Sequence, residues 1–248
     1  MTPKILLTTG IAVMSFGISA LATTYSGNGN TGFGGVVGTG SLTLTDNGTT
    51  LSGTITRGSA NFNDTLVIYI DSVAGGFADT SGFADSNDGS RKSISGFDGG
   101  SNRSLMTFAG GFAPDYAIAL GPQNDSFGGL WSLANGGANS LPFVSSANLS
   151  PTGAGTGSTA SFTFSISLAS IGLTPGAGQS FNLFGTYTSD SGFRSTEAIA
   201  GNDSGTQGWN TFTQTSFATY TTTPVPEPTT MALATGGMVL LYAIRRRR

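Results

Sequence analysis

From Ala160 to Leu168 the chain alternates strictly, with Phe162, Phe164, Ile166 and Leu168 on one side and Ser161, Thr163, Ser165 and Ser167 on the other. Side chains of an extended strand point to opposite faces with period two, so this stretch can bury one face only as a β-strand. The same texture recurs along the chain. Ser41–Thr45 and Leu51–Arg57 alternate apolar and hydroxyl residues around Asp46-Asn47-Gly48, a hairpin turn signal. Leu66–Ile70, LVIYI, is a continuous apolar run of strand length, as expected of a central strand covered on both faces. Further strands are expected at 104–108, 116–120, 130–133, 181–189 and 209–220, with one helical turn at 169–173 before Pro175.

These strands, with no long amphipathic helix between them, predict an all-β fold: a two-sheet antiparallel β-sandwich, jelly-roll-like in its wiring. Composition agrees. Gly contributes 39 residues and charged residues only 9%, yet the 17 Phe are far more than a disordered Gly/Ser-rich chain carries. Gly-Phe recurs at 32, 76, 82, 96, 111 and 192 without a fixed period, which ranks a β-solenoid second. From Asp71 to Arg103 the texture turns to Gly, Ser, Asp and Asn; short helical or strand pieces pinned by Phe77, Phe83 and Phe97 are expected there.

Two segments bracket this body. Lys4 precedes an apolar run from Ile5 to Leu21, and Ala20 and Ala22 have the small side chains and spacing of a signal-peptidase site. Residues 1–22 therefore read as a signal peptide and 23–223 as the β-sandwich body. At the other end, Val225, Pro226, Glu227 and Pro228 form a stiff strip, because each proline fixes φ and removes a backbone donor. An uncharged run at 229–244 follows, about 24 Å long as a helix against a hydrocarbon core of roughly 30 Å. Arg245, Arg246, Arg247 and Arg248 then supply cations that can snorkel to the cytoplasmic headgroups and cover the shortfall. A transmembrane helix over 229–244 with a basic tail at 245–248 is expected.

In motif, apolar span and basic end, residues 224–248 resemble the PEP-CTERM sorting signal of exported bacterial surface and exopolysaccharide-associated proteins. The resemblance implies processing by an exosortase, a membrane-embedded protease, with the inner membrane as a transient station and the cell surface or extracellular matrix as destination. A permanent membrane anchor is the alternative reading of the same tail. Within the body, LVIYIDS at 66–72, FAPDYAIALG at 112–121 and the SISLASIGL turn loosely resemble landmarks of DOMON-like and carbohydrate-binding-module sandwiches. That resemblance implies a sandwich of about this size, some of whose members bind glycans.

The chemistry open to the body is narrow. It has no Cys and no His, which excludes thiolate and Ser-His-Asp catalysis and histidine-ligated metals. Between Thr23 and Thr223 five cations face twelve carboxylates, a net charge of −7, which disfavours nucleic acid as a partner. Asp85, Asn87 and Asp88 place oxygens before Gly89 as a calcium loop begins, with Asp71 and Asp98 as further ligand candidates; a solvated turn is the competing reading. Tyr116, Trp131 and Trp209 are candidates for stacking on the sugar rings of an extracellular polysaccharide. A glycosidase would need two carboxyls, for which Glu197 with Asp190 or Asp203 is the candidate pair. The expected function is non-enzymatic: an exported structural or glycan-associating module, with a secreted carbohydrate-active enzyme as the rival.

Overall fold

The structure, a computed structural model, describes residues 22–133, 140–225, 242 and 245. Apart from Ala22, Tyr242 and Arg245, the expected signal peptide, transmembrane run and basic tail lie outside the described residues, as do Pro226, Glu227 and Pro228. No helix among the described residues is long and apolar enough to cross a membrane.

The body is mostly β, in two sheets. The smaller has β1 (Thr23–Ser26), β2 (Ser41–Asp46), β3 (Thr50–Thr56) and β9 (Ser161–Ser167), in the order β1-β2-β3-β9. The larger is built on β4 (Thr65–Asp71), flanked by β10 (Ser180–Thr188) and β6 (Tyr116–Gly121). Beyond β6 lie β7 (Phe127–Ser132) and β8 (Phe143–Ser146). The other edge of β10 is shared: its first half pairs with β13 (Thr211–Thr221) and its second half with β11 (Arg194–Ile199). β12 (Gly201–Ser204) and β5 (Leu105–Thr107) complete the sheet on β13.

Two expectations about wiring need correction. β5 runs parallel to β13, so the sheet is not wholly antiparallel. β2-β3 also stays within the smaller sheet as a hairpin and β6-β7-β8 within the larger as a meander, whereas a jelly roll alternates between sheets. Short connections keep successive strands adjacent here.

The alternating strands pack as their pattern requires. Phe162, Phe164 and Ile166 of β9, Leu51 and Ile55 of β3, and Leu42 and Leu44 of β2 turn inward against Leu66, Ile68 and Ile70 of β4. Each such side chain contributes about 1.5–3 kcal/mol on burial. Gly53, level with Phe164 across the β3-β9 pair, leaves the space that ring occupies; a Cβ there would lie 2.2 Å from it. The continuous run of β4 is explained by its second face, where Val67 and Tyr69 join a separate core with Phe83, Met106, Phe112 and Phe212. That core lies under α1 (Gly89–Ser95) and the loops before β5 and β6.

The Gly/Ser/Asp-rich stretch is therefore a third layer. Its one helix starts at Asp88, whose side chain accepts from the Arg91 N–H at 2.8 Å, and stops at Gly96 in the left-handed region. Tyr69 Oη donates to Ile94 O at 2.6 Å and ties the helix to β4. Phe83 is fully buried and Phe97 carries the Arg103 guanidinium 4.7 Å above its ring, so both pin the layer as expected.

Both sides of the sandwich are stitched by chain that changes sheet. After β8, Ser150 exchanges two backbone hydrogen bonds with Thr163 of β9. After β1, the Asn28 N–H reaches Ala198 O of β11. Chain entry and exit share one end of the molecule. Thr23 pairs with Leu44 near the end of β2, and Asp46, the last residue of β2, holds Thr223.

Candidate functional site

The root of the C-terminal strip is a built feature. Asp46 is 3% exposed, and its carboxylate accepts from Gly48 N at 2.8 Å, Thr223 N at 3.0 Å, Thr223 Oγ1 at 3.2 Å and Tyr220 Oη at 2.8 Å. Burial, then the Asp46 bond and charge, hold the Tyr220 phenol protonated, well above the usual tyrosine range. Next along the chain, Val225 N donates to Gly176 O at 2.9 Å, and Gly176 N to Gly48 O at 2.6 Å. The Val225 side chain lies over Gly48, whose φ of +83° and missing Cβ make room for it. Of the four motif residues, Val225 is thus fixed to the body by its backbone while 41% exposed, and Pro226 follows it directly in sequence.

Glu197 is enclosed by the chain itself. It is fully buried, with one carboxylate oxygen accepting from Phe33 N (2.6 Å) and Gly35 N (3.0 Å), the other from Val37 N (2.8 Å) and Gly38 N (3.1 Å). Four amides of the glycine-rich 27–40 segment converge on one acceptor, so that segment folds around Glu197, and no lone pair faces solvent or substrate. Asp203 is buried separately; burial pushes its carboxyl up to about 6, offset in part by the Arg194 charge. Asp190 is exposed in the turn after β10 and makes no hydrogen bond to Glu197.

The oxygen-rich Asp85–Asp88 stretch serves the start of α1. Asp85, 2% exposed, accepts from Asn87 N at 3.1 Å and Leu141 N at 2.7 Å and pairs with Arg91 Nε at 3.2 Å. Asp88 caps the helix and pairs with Arg91 Nη1. Asn87 is exposed. Asp71 accepts from Ala113 N and Asn182 Nδ2, both at 3.3 Å, and Asp98 closes its own turn, where the Gly100 N–H in first place lowers its pKa. Among the described residues no three carboxylates converge as a metal would need. The alternate oxygens that resemble a calcium loop are explained by capping and by Arg91.

Beside that helix start lies a cleft of about 360 Å³. One wall is aromatic: Phe127, Trp131 and Phe143 stand 5.7–6.3 Å apart between ring centroids. Phe127 is 39% and Phe143 49% exposed, whereas Trp131 is 2% exposed and its indole Nε1 is buried without a partner. The other wall carries Asp88, Ser90, Arg91 and Asp125, with the Arg91 guanidinium 5.8 Å from the Trp131 ring. Asp125 is raised above the usual carboxylate range, chiefly by burial and then by Asp190.

The three aromatic glycan candidates do not converge. Only Trp131 reaches this cleft. Tyr116 packs against the inter-sheet core on the opposite face of the large sheet, and Trp209 stands edge-on to Phe193, 5.6 Å away, in the turn before β13. Phe127, Phe143, Arg91 and Asp125 escaped the sequence reading. The i, i+4 spacing of Phe127 and Trp131 on one strand face was the available signal.

No curated protein and no solved structure matches the chain. A family model described as the PEP-CTERM protein-sorting motif does match, over residues 224–248, and begins at Pro224, one residue after the Asp46-held Thr223; the tail of this chain is therefore a PEP-CTERM sorting signal.

Proposed function

We propose that this is an exported protein whose tail is removed by an exosortase-type membrane protease near Pro226–Pro228, leaving a non-catalytic β-sandwich at the cell surface or in the extracellular matrix. Export and exosortase sorting follow from the motif at 224–248, which carries the reading. The body then acts as a structural or glycan-associating module. Support for a non-catalytic role is the commitment of Glu197, the body's only glutamate, to four backbone amides. A net charge of −7 outside the flanking segments suits a neutral partner rather than nucleic acid.

The test is the intact mass of the protein from native host fractions, with terminal peptides mapped. A chain beginning near Thr23 and ending at the Pro-Glu-Pro strip is expected, and alanines at Pro226, Glu227 and Pro228 leave a membrane-retained precursor. A mature protein that keeps Met231–Arg248 would make it a permanently anchored protein instead.

A further inference from the structure

The geometry points to the Phe127–Trp131–Phe143 cleft as the site where the body takes up a neutral polysaccharide, a reading that rests on the glycan-associating role above and gives it a location. Three independent features converge there. First, Phe127 and Phe143 are the only exposed phenylalanines among the described large hydrophobics, and they stand together on neighbouring strands with Trp131 beneath them. Exposed rings forfeit hydrophobic stabilisation unless something covers them, and the C–H face of a pyranose is a flat apolar surface of matching size.

Second, the facing wall is polar. Asp88 and Asp125 offer acceptors and Arg91 offers guanidinium donors, while the buried Ser90 hydroxyl donates to Asp125 Oδ2 at 3.3 Å and holds that carboxylate in place. Third, the indole Nε1 of Trp131 is a fully desolvated donor without an acceptor. Such a donor costs about 1–3 kcal/mol while it lacks an acceptor, and a sugar hydroxyl or ring oxygen can supply one once the wall opens over it on binding. The cleft's volume falls in the usual small-ligand range of about 300–1,000 Å³.

Charge selects among glycans. The Arg91 cation is already paired with Asp85 and Asp88, so the cleft keeps the uncompensated carboxylate of Asp125. Uronic-acid or sulfated polymers would bring like charge against it. Neutral hexose chains bring none.

The experiment is affinity electrophoresis of the processed protein from its host in gels containing dextran, a neutral galactomannan or alginate. Retardation by at least one neutral polymer and none by alginate is expected. Phe127→Ser and Phe143→Ser, both at exposed positions, each weaken retardation roughly three- to tenfold, the value of one aromatic contact. Trp131→Phe keeps most of the packing, removes the Nε1 donor and weakens it similarly; unchanged circular dichroism and melting show that the variants fold. Retardation that survives all three substitutions overturns the cleft while leaving glycan association standing. Retardation by alginate alone overturns the charge argument, and no retardation of the folded wild-type protein by any of the three overturns both the cleft and the glycan-associating role.

Discussion

Replacing Glu197 by Gln tests the carboxylate around which the 27–40 segment is folded. The amide oxygen of Gln can keep one pair of donors, Phe33 and Gly35 or Val37 and Gly38, but its NH₂ must then face the other pair donor to donor. Two charge-assisted hydrogen bonds at about 1.5–3 kcal/mol each are lost, a total of about 3–6 kcal/mol. Relief of the buried charge offsets little of this, because four amide dipoles already stabilise the carboxylate. Domains of this kind hold about 5–15 kcal/mol in all, so the variant should be close to marginal. With a urea dependence of roughly 2–3 kcal/mol per molar for a body of this size, the unfolding midpoint should fall by about 1–3 M. Circular dichroism of the full chain in mild detergent measures it. A midpoint within about 0.3 M of wild type, under 1 kcal/mol at that slope, would refute the idea that these amides depend on a charged acceptor.

Three further outcomes are expected. Asp203 and Asp64 both titrate at about 6, raised chiefly by burial. Between their ordinary value of 3.8 and 6 the folded protein therefore keeps protons that the unfolded chain has released. Their contribution to stability falls as pH rises through that window and is flat above it. Asp203→Asn should accordingly raise stability at pH 7.5 by up to roughly 3 kcal/mol and flatten the acid-side slope in urea titrations at stepped pH. Asp46→Asn, which weakens the anchorage of Thr223, should reduce amide hydrogen-exchange protection at Thr223 and Val225 by about 1.5–3 kcal/mol while the strand amides of β4 and β10 keep theirs. Gly53→Ala should destabilise by about 1–3 kcal/mol through overpacking against Phe164, read as a lower melting temperature.

Much of the sandwich was legible because its strands announce one face or two. β2, β3, β9 and β10 follow their apolar alternation, and β4 its unbroken run, since burial on one or both sheet faces selects those patterns directly. β8 and β12 were missed because each is only four residues long: β12 is polar or glycine throughout, and β8 exposes its two apolar residues, Phe143 and Val144, so neither leaves an alternating pattern in the local sequence. β11 was missed for a different reason. It buries Arg194 and Glu197, and the groups that make Glu197 acceptable there are backbone amides some 160 residues away.

The same limit applies to sites. Asp85 and Asp88 before Gly89 satisfy a calcium-loop pattern and a helix cap equally well, and the partner they share, Arg91, three residues beyond Asp88, becomes visible only in three dimensions. The aromatic wall was half visible, through Trp131. Phe143 comes from the next strand, and its place beside Trp131 depends on the β7-β8 register, which shifts between Leu130 and Trp131.

The shared exit of the two chain ends governs how the body stands relative to a bilayer. Thr23 and Thr223 both meet the last three residues of β2, so the body begins and ends on one side. Held there, it would meet a membrane without opening. Gly121 and Phe127 pair at the opposite end of β6 from Tyr116, which lies level with Ile70 near the tail root. A body held by either terminus, or by both, would thus turn its Asp125–Phe127 end away from the lipid, and cutting the tail would free the molecule without changing what that outer end presents.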